Sequence, residues 1–215
     1  MIFFRETENL KKKLLTLSAL VEEDVRDALR AIRTRNRDLA NEVISADNEI
    51  DAMEIEVEED CLKILALHQP VARDLRFIVA VLKMTSDLER IGDLSLNIAE
   101  RALYLADHPD VSIPENISVL AEKAVIMLTK SLDALVHLDG DLATEVCRLD
   151  DEVDALHHDM YAFVRDAILA TPSSIDGLLA LLSVSRYLER IADHATNIAE
   201  DVLYIVDGEI MRHKM

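Results

Sequence analysis

The sequence predicts an all-α protein made of two tandem, internally repeated three-helix bundles. Half of the 215 residues are hydrophobic but only 4% are aromatic, so the apolar content is mostly Leu, Ile, Val and Ala, which favours helices over strands. Only four glycines and four prolines interrupt the chain. The second half of the sequence also repeats the first, and the chain is long enough to bury a substantial core.

Helical periodicity predicts three helices in the first half of the chain. The first runs from about Glu6 to Arg33 and pauses at residues 34–38. The second continues to about Leu67 and ends at residues 68–70, where a proline can close one helix and open the next. The third then extends to about residue 106.

A proline-containing segment and three further helices follow. Residues 107–114 contain two prolines and form the clearest linker. The next helices are separated by breaks near residues 139–141 and 171–174, with Ser174 as a candidate N-cap and Gly208 as a C-terminal stop. Short connections favour antiparallel neighbours. The predicted division is a first bundle over residues 1–106, a linker over 107–114 and a second bundle over 115–215.

The two halves share a specific repeated element. Residues 87–106 and 187–206 are identical at 11 of 20 positions, where roughly one match is expected by chance. The centres of the two copies read LERIGDLSLNIAE and LERIADHATNIAE. A second match, at an offset of 103, aligns residues 47–51 with 150–154. The repeat therefore includes acidic residues as well as the apolar positions that a helix needs.

Composition narrows the classes of function. A formal charge of −19 repels nucleic-acid phosphates and anionic lipids, so direct binding to either is not expected. The longest apolar runs are about six residues, far below the roughly 20 that cross a bilayer, and no signal peptide is recognisable. Cys61 and Cys147 lie in helical patterns without a CxxC spacing, which favours core positions over a disulfide or thiolate site. The expected compartment is the cytoplasm.

Each repeat contains two pairs of carboxylates four residues apart. This spacing places both carboxylates on one helix face, one turn apart, where like charges repel by about 0.2–0.5 kcal/mol per pair. A cation shared between two helices would relieve that repulsion. Ligation by oxygen alone suits Mg²⁺, Ca²⁺, Mn²⁺ or ferric iron. The candidate ligands are Asp47, Asp51, Glu89 and Asp93 in the first repeat and Asp150, Asp154, Glu189 and Asp193 in the second.

Further side chains are candidate ligands around these pairs. Asn97 and Asn197 lie one turn beyond the carboxylates of their helices, and His157 follows Asp154 by three residues. His194 is a further nitrogen donor within the second repeat. The full additional set is Asn97, Asn197, Glu100, Glu200 and His157.

Two interpretations of the acidic pairs remain open at this level. The chain has 42 acidic residues, so solvated helix faces produce some pairs of this spacing without any ligand. No Glu-x-x-His pair of a ferritin-like di-iron enzyme is present, and no phosphate loop or nucleophile motif supports an enzyme. Arg73 and Arg76 fit helix surface charge, with phosphate binding as the alternative.

The stretches PVARDLRFIVAVLKMTSDLERIGDLSLNIAE (70–100) and SVSRYLERIADHATNIAEDVLYI (183–205) resemble the PhoU family of phosphate-uptake regulators, over roughly residues 8–207. The resemblance implies two three-helix bundles whose surfaces bind iron or other cations (Mn, Mg, Ca or Zn) through Glu/Asp-x-x-x-Asp motifs. Those motifs coincide with the eight carboxylates above. His194 stands where the first repeat has Leu94, which leaves open whether both sites bind equally.

The resemblance also implies a regulatory function. Members of the family act in the cytoplasm as negative regulators of phosphate-starvation signalling, together with the ATPase subunit of the phosphate ABC transporter and a sensor histidine kinase. It further implies a homodimer that meets the membrane only through its partners. The alternatives are a metal-free helical adaptor, a metal-storage protein and a metal-dependent enzyme.

Overall fold

The computed structural model describes residues 2–208, which contain six α-helices, one short 3-10 helix and no strand. The predicted all-α class is therefore confirmed. Residue 1 and residues 209–215, which the predicted bundle boundaries include, lie outside the described residues. The elements are α1 (Ile2–Thr34), α2 (Arg37–His68), α3 (Ala72–Asp107), α4 (Glu115–His137), α5 (Gly140–Ala170), the 3-10 helix (Pro172–Ser174) and α6 (Ile175–Asp207).

Polar caps define several of the helix ends. The Asn36 side chain accepts hydrogen bonds from two backbone N–H groups at the start of α2, and Asp139 accepts one at the start of α5. Gly208 ends α6 at a φ of 78°, so the predicted stop is confirmed. Ser174 is the N-cap residue of α6, as predicted, but its side chain makes no capping hydrogen bond, since the 3-10 turn from Pro172 leads directly into the helix.

The six helices form two bundles that pack on each other. Helices α1, α2 and α3 contact one another, as do α4, α5 and α6. Helices α3 and α6 also pack together, and they are antiparallel, since Lys83 Nζ lies 3.2 Å from Asp201 Oδ1 while Asp87 contacts His194 at 2.8 Å. Each of these two central helices therefore contacts its own bundle and the other one.

The repeated segment supplies the apolar faces of the two central helices. Leu88, Ile91 and Ile98 of α3 are completely buried, as the sequence predicts, and so are Leu188 and Ile191 at the equivalent positions of α6. Complete burial of such a side chain contributes about 1.5–3 kcal/mol relative to its exposed state. These contacts hold the acidic positions of the same helices at fixed places on the bundle surface.

One arginine anchors the segment between the bundles. Arg35 adopts a φ of 52° between α1 and α2, and its guanidinium donates to the carbonyl oxygens of Leu105, His108 and Val111. Val111 in turn packs against Gly177 of α6, where an added Cβ would overlap the Val111 side chain. The linker is therefore held by both halves of the chain.

The remaining structural predictions concern the cysteines and membrane insertion. Cys61 is buried, and Cys147 is half-buried against the core. Burial raises the pKa of Cys61 to about 12 and that of Cys147 to about 11. Among the helices of residues 2–208, none is both long and apolar enough to cross a bilayer.

Candidate metal centres

The first acidic cluster lies where α2 and α3 run side by side. Gly92 allows this close approach, because a Cβ at that position would lie 3.1 Å from Ile50 Cδ1 of α2. Asp47 on α2 is close enough to Asp93 on α3 for their charges to interact. The predicted pairs of the first repeat are thus brought together on one surface.

Burial and mutual repulsion perturb the carboxylates of this first cluster. The pKa of Asp47 is raised by burial and by repulsion from Asp51 and Asp93. The pKa of Glu89 is raised by burial and by Asp93, with a smaller opposing effect from Arg90. The folded chain therefore confines more negative charge here than its own cations neutralise.

An arginine partly neutralises the first cluster, and sequence reasoning missed this role. Arg90 Nε lies 3.3 Å from Glu89 Oε2, and Arg90 Nη1 lies 3.1 Å from Asp93 Oδ2. The i, i+3 spacing of Arg90 and Asp93 is the signal that could have found it. Glu54 adds a further carboxylate, whose pKa is raised by burial and by Glu58.

The second cluster is more compact. Asp154 of α5 and Glu189 and Asp193 of α6 each offer an oxygen atom, and these three atoms lie within 4.8 Å of one another. Asp150 lies one turn before Asp154, and its Oδ1 accepts a hydrogen bond of 3.3 Å from Thr196. Within residues 2–208, Arg190 forms no ion pair like that of Arg90 in the first cluster.

The compact arrangement has a marked electrostatic effect on the second cluster. Burial, followed by repulsion from Glu189, Asp150 and Asp154, raises the pKa of Asp193 to about 6. Burial and Asp154 likewise raise the pKa of Asp150, against a lowering effect of the Thr196 hydrogen bond. Some of this repulsion can be removed by a proton or by a bound cation.

The additional candidate ligands divide into two groups by position. His157 lies beside the second cluster, where its Nδ1 is 2.7 Å from Ser185 Oγ and Glu189 and Asp154 favour its charged form. Burial nevertheless lowers the His157 pKa. Glu200 is close enough to Cys147 of α5 to raise that thiol's pKa, as Asp150 does. Glu200 therefore extends the acidic surface by about two turns of α6 beyond Asp193.

The other additional candidates point elsewhere. The amide of Asn197 donates to Asp87 Oδ1 at 3.2 Å, and His194 Nδ1 lies 2.8 Å from the same oxygen, so both side chains bind α3 across the bundle interface. The Asn97 amide donates to the main-chain oxygen of Asp93 at 2.6 Å. Glu100 is exposed and pairs with its neighbour Arg101 at 3.4 Å.

Sequence reasoning also missed an acidic residue on α1. Burial and repulsion from Asp27, Asp47 and other carboxylates raise the pKa of Asp24 to about 6. Its position between the buried residues Val21 and Val25 is the signal that could have drawn notice. Asp24 extends the acidic environment of the first cluster towards α1.

The donor set of the second cluster fits a hard cation. Such ions bind carboxylate oxygens at about 2.0–2.6 Å, so two oxygens on one ion lie up to about 5 Å apart. The 4.8 Å spread of the three oxygens satisfies that limit. Carboxylate oxygens are ligands for Mn²⁺, Mg²⁺, Ca²⁺ or iron, and the neighbouring imidazole is a ligand that suits iron or Zn²⁺.

Comparison with known proteins matches both repeats to the same family domain. The PhoU domain matches residues 14–102 and again residues 117–202. A phosphate-specific transport system accessory protein PhoU homolog from Aquifex aeolicus is 39% identical over 214 residues, covering 100% of this chain and 97% of that protein.

Solved structures agree with the sequence comparison. The crystal structure of PhoU from Pseudomonas aeruginosa superposes with a TM-score of 0.93 at 36% identity, covering 96% of this chain and all of that one. The phosphate transport system regulatory protein PhoU from Streptococcus pneumoniae gives a TM-score of 0.86 at 28% identity, over 97% of this chain and 98% of that one. With both bundles matched over nearly their whole length, the chain belongs to the PhoU family.

Proposed function

We propose that this protein is an accessory and regulatory component of phosphate transport. The observation that carries the proposal is the double PhoU match over both bundles, together with relatives named as accessory or regulatory proteins of phosphate transport. In this role the protein acts in the cytoplasm, restrains phosphate-starvation signalling and performs no catalytic step of its own.

The proposed partners are the ATPase subunit of a phosphate ABC transporter and a sensor histidine kinase. A rigid helical scaffold suits such docking, because its surface residues keep fixed positions on long helices packed on both sides. When phosphate is plentiful, the protein would contact both partners and hold the kinase in its phosphatase state. The working unit in this proposal is a homodimer, which reaches the membrane only through its partners.

The two acidic clusters would bind cations in this proposal. Asp154, Glu189 and Asp193, with Asp150 and His157 beside them, form the second site, and the spread of 4.8 Å supports it. Asp47, Asp51, Glu89 and Asp93 form the first site, where Arg90 competes with the ion. A bound cation would supply positive charge that an acidic surface needs before it can approach phosphate or an acidic partner surface.

The first experiment is affinity purification, after mild crosslinking, of tagged protein from phosphate-replete cells, with mass spectrometry of the bound proteins. A Glu89→Gln, Asp93→Asn, Glu189→Gln, Asp193→Asn variant is purified in parallel, and circular dichroism checks that it remains helical. Recovery of the transporter ATPase or the kinase with the native chain supports the regulatory role. Loss of that recovery with a folded variant links the carboxylates to docking.

Other outcomes separate the alternatives. If neither partner is recovered under any phosphate condition, the regulatory proposal is wrong. If partners are recovered equally with the variant, and a chelator leaves the melting temperature unchanged, the protein is a metal-free adaptor, because an ion bound only to the folded state must raise stability.

A further inference from the structure

The two acidic clusters occupy equivalent positions of the repeat, but the arginine beside each of them behaves differently. In the first cluster, Arg90 Nε lies 3.3 Å from Glu89 Oε2, and Arg90 Nη1 lies 3.1 Å from Asp93 Oδ2. Arg190 is the equivalent residue of the second repeat. It is exposed and makes no ion pair with any residue between 2 and 208. Within the described chain, the first cluster therefore holds an arginine that the second cluster lacks.

Arg90 uses the oxygen atoms that a cation at the first site would need. Its two contacts occupy one oxygen of Glu89 and one of Asp93, and both residues are proposed ligands. Its charge also acts on α2, because it opposes the rise in the pKa of Glu54 that burial and Glu58 cause. An arriving ion must either displace the guanidinium from these oxygens or bind beside a like charge, and both alternatives lower its affinity.

The second cluster needs no such displacement. Oxygen atoms of Asp154, Glu189 and Asp193 already lie within 4.8 Å of one another, and no other group of this kind is found among residues 2–208. His157 stands where the first repeat has Glu54, which adds a nitrogen donor beside the site. Burial and repulsion from Glu189 raise the pKa of Asp193 to about 6. The carboxylates of this cluster therefore repel one another without an arginine to offset the repulsion, and a bound cation removes it directly.

We infer that cations fill the two sites in a fixed order, with the second site loaded first and Arg90 acting as the internal counter-cation of the first site. The inference rests on the cation binding proposed above and adds the order of binding and its cause. Because exposed ion pairs are individually weak, the loss of two of them should weaken the first site by about tenfold or more. The first site then responds to cation concentrations that already saturate the second.

Calorimetric titration of the metal-free protein with Mn²⁺ measures this difference. At pH 7.5 in about 0.15 M NaCl, the native chain should show a tight class of sites and a second class at least about tenfold weaker. Arg90→Gln should tighten the weaker class by about five- to tenfold. Arg190→Gln is the matched control, because it removes the same charge at the equivalent position of the repeat without breaking an ion pair. It should change the affinity of either class by less than about threefold.

Carboxylate variants assign each class to its site. Glu189→Gln with Asp193→Asn should remove the tight class and leave the weak one, whereas Glu89→Gln with Asp93→Asn should remove the weak class and leave the tight one. Adding Arg90→Gln to the Glu189→Gln, Asp193→Asn variant should still tighten the remaining class, because that class belongs to the first site. Circular dichroism checks that each variant remains helical, so that lost binding is not caused by unfolding.

The outcomes separate this inference from the proposal on which it rests. Equal affinity of all sites in the native chain, or no change on Arg90→Gln, overturns the inference but leaves cation binding intact. A tight class that is lost with Glu89→Gln, Asp93→Asn overturns the order of filling. Absence of any bound Mn²⁺ overturns the cation sites and the inference together. Arg90 and Arg190 are both exposed, so their Gln variants should fold and decide the question even where a carboxylate variant unfolds.

Discussion

Replacing Asp193 with Asn should stabilise the folded protein without metal and destabilise it with metal. The folded chain raises the pKa of Asp193 from 3.8 to about 6, whereas the unfolded chain keeps the ordinary value. Between those values the folded state binds more protons, so stability falls as the pH rises from 3.8 to 6 and remains reduced above it. The Asn variant does not ionise and avoids that loss.

The size of this stability difference follows from the pKa shift of Asp193 and from the exposure of that residue to solvent. A shift of about two units corresponds to at most about 3 kcal/mol. Neighbouring atoms partly desolvate the Asp193 carboxylate, but the residue as a whole remains exposed, so solvent screening reduces this to about 1 kcal/mol. In a chelator at pH 7.5, the Asp193→Asn variant should therefore unfold at a higher urea concentration, with a free energy of unfolding about 1 kcal/mol above that of the native chain. Below pH 3.8 the two proteins should be equally stable.

A saturating concentration of cation should make the native chain more stable than the Asp193→Asn variant. At 100 times its dissociation constant, a bound ion stabilises the native chain by about 2.7 kcal/mol. A variant that binds the ion about 100-fold more weakly gains only about 0.4 kcal/mol under the same conditions. With Mn²⁺ present, the variant should then be about 1 kcal/mol less stable than the native chain.

The measurement is urea unfolding followed by helical circular dichroism between pH 3.5 and 8, in chelator and in Mn²⁺. The control is Asp133→Asn on α4, an exposed aspartate outside the clusters, which makes the same change in net charge. A stabilisation that is equal in both variants or independent of pH refutes the electrostatic reasoning. Stabilisation of Asp193→Asn that persists in Mn²⁺ refutes a metal-ligand role for Asp193.

Three further predictions concern packing and interfaces. Gly177→Ala should lower the free energy of unfolding by about 1–3 kcal/mol, because the added Cβ overpacks the linker. Gly140→Ala is the control in the same urea titration, since its Cβ would lie 3.6 Å from its nearest neighbour, and it should be neutral or slightly stabilising. The Cys61 thiol, with its pKa raised to about 12, should react with Ellman's reagent at pH 8 only after unfolding; rapid reaction of the folded chain would contradict its burial. Lys83→Met should lower the free energy of unfolding by about 1–3 kcal/mol, because Asp201 loses a charged hydrogen-bond donor, and an unchanged urea midpoint would show that this pair contributes nothing.

The helices could be predicted from the sequence because each break carries a local signal. Gly208 and the segment around Pro70 mark chain reversals through properties of single residues. The N-caps Asn36 and Asp139 were not predicted. A break in the periodicity shows where one helix ends, but several polar residues near the break could serve as the N-cap of the next helix. Ser174 lies at the predicted N-cap position, but the sequence does not reveal that its side chain forms no capping hydrogen bond after the 3-10 turn.

The acidic clusters were partly predictable for a related reason. The i, i+4 spacing fixes which carboxylates share a helix face, and the repeat places two such faces at equivalent positions. The partners that cross between helices have no such period. His194 turns to Asp87 of the other bundle, a contact that spacing along one helix does not encode. Arg90 differs, because its contacts with Glu89 and Asp93 lie within α3 and follow from the i, i+3 spacing.

Through the antiparallel pairing of α3 with α6, the two repeats of one chain associate in the way that two subunits of a dimer would. The two repeats meet through these helices, yet the positions equivalent to Lys83 and Asp201 are Ser183 and Arg101, so the ion pair between Lys83 and Asp201 has no counterpart at the equivalent positions. A covalent connection keeps the halves at a high effective concentration, and their association is independent of how dilute the protein becomes. Each half can also change without altering its counterpart, which a dimer of identical chains does not allow.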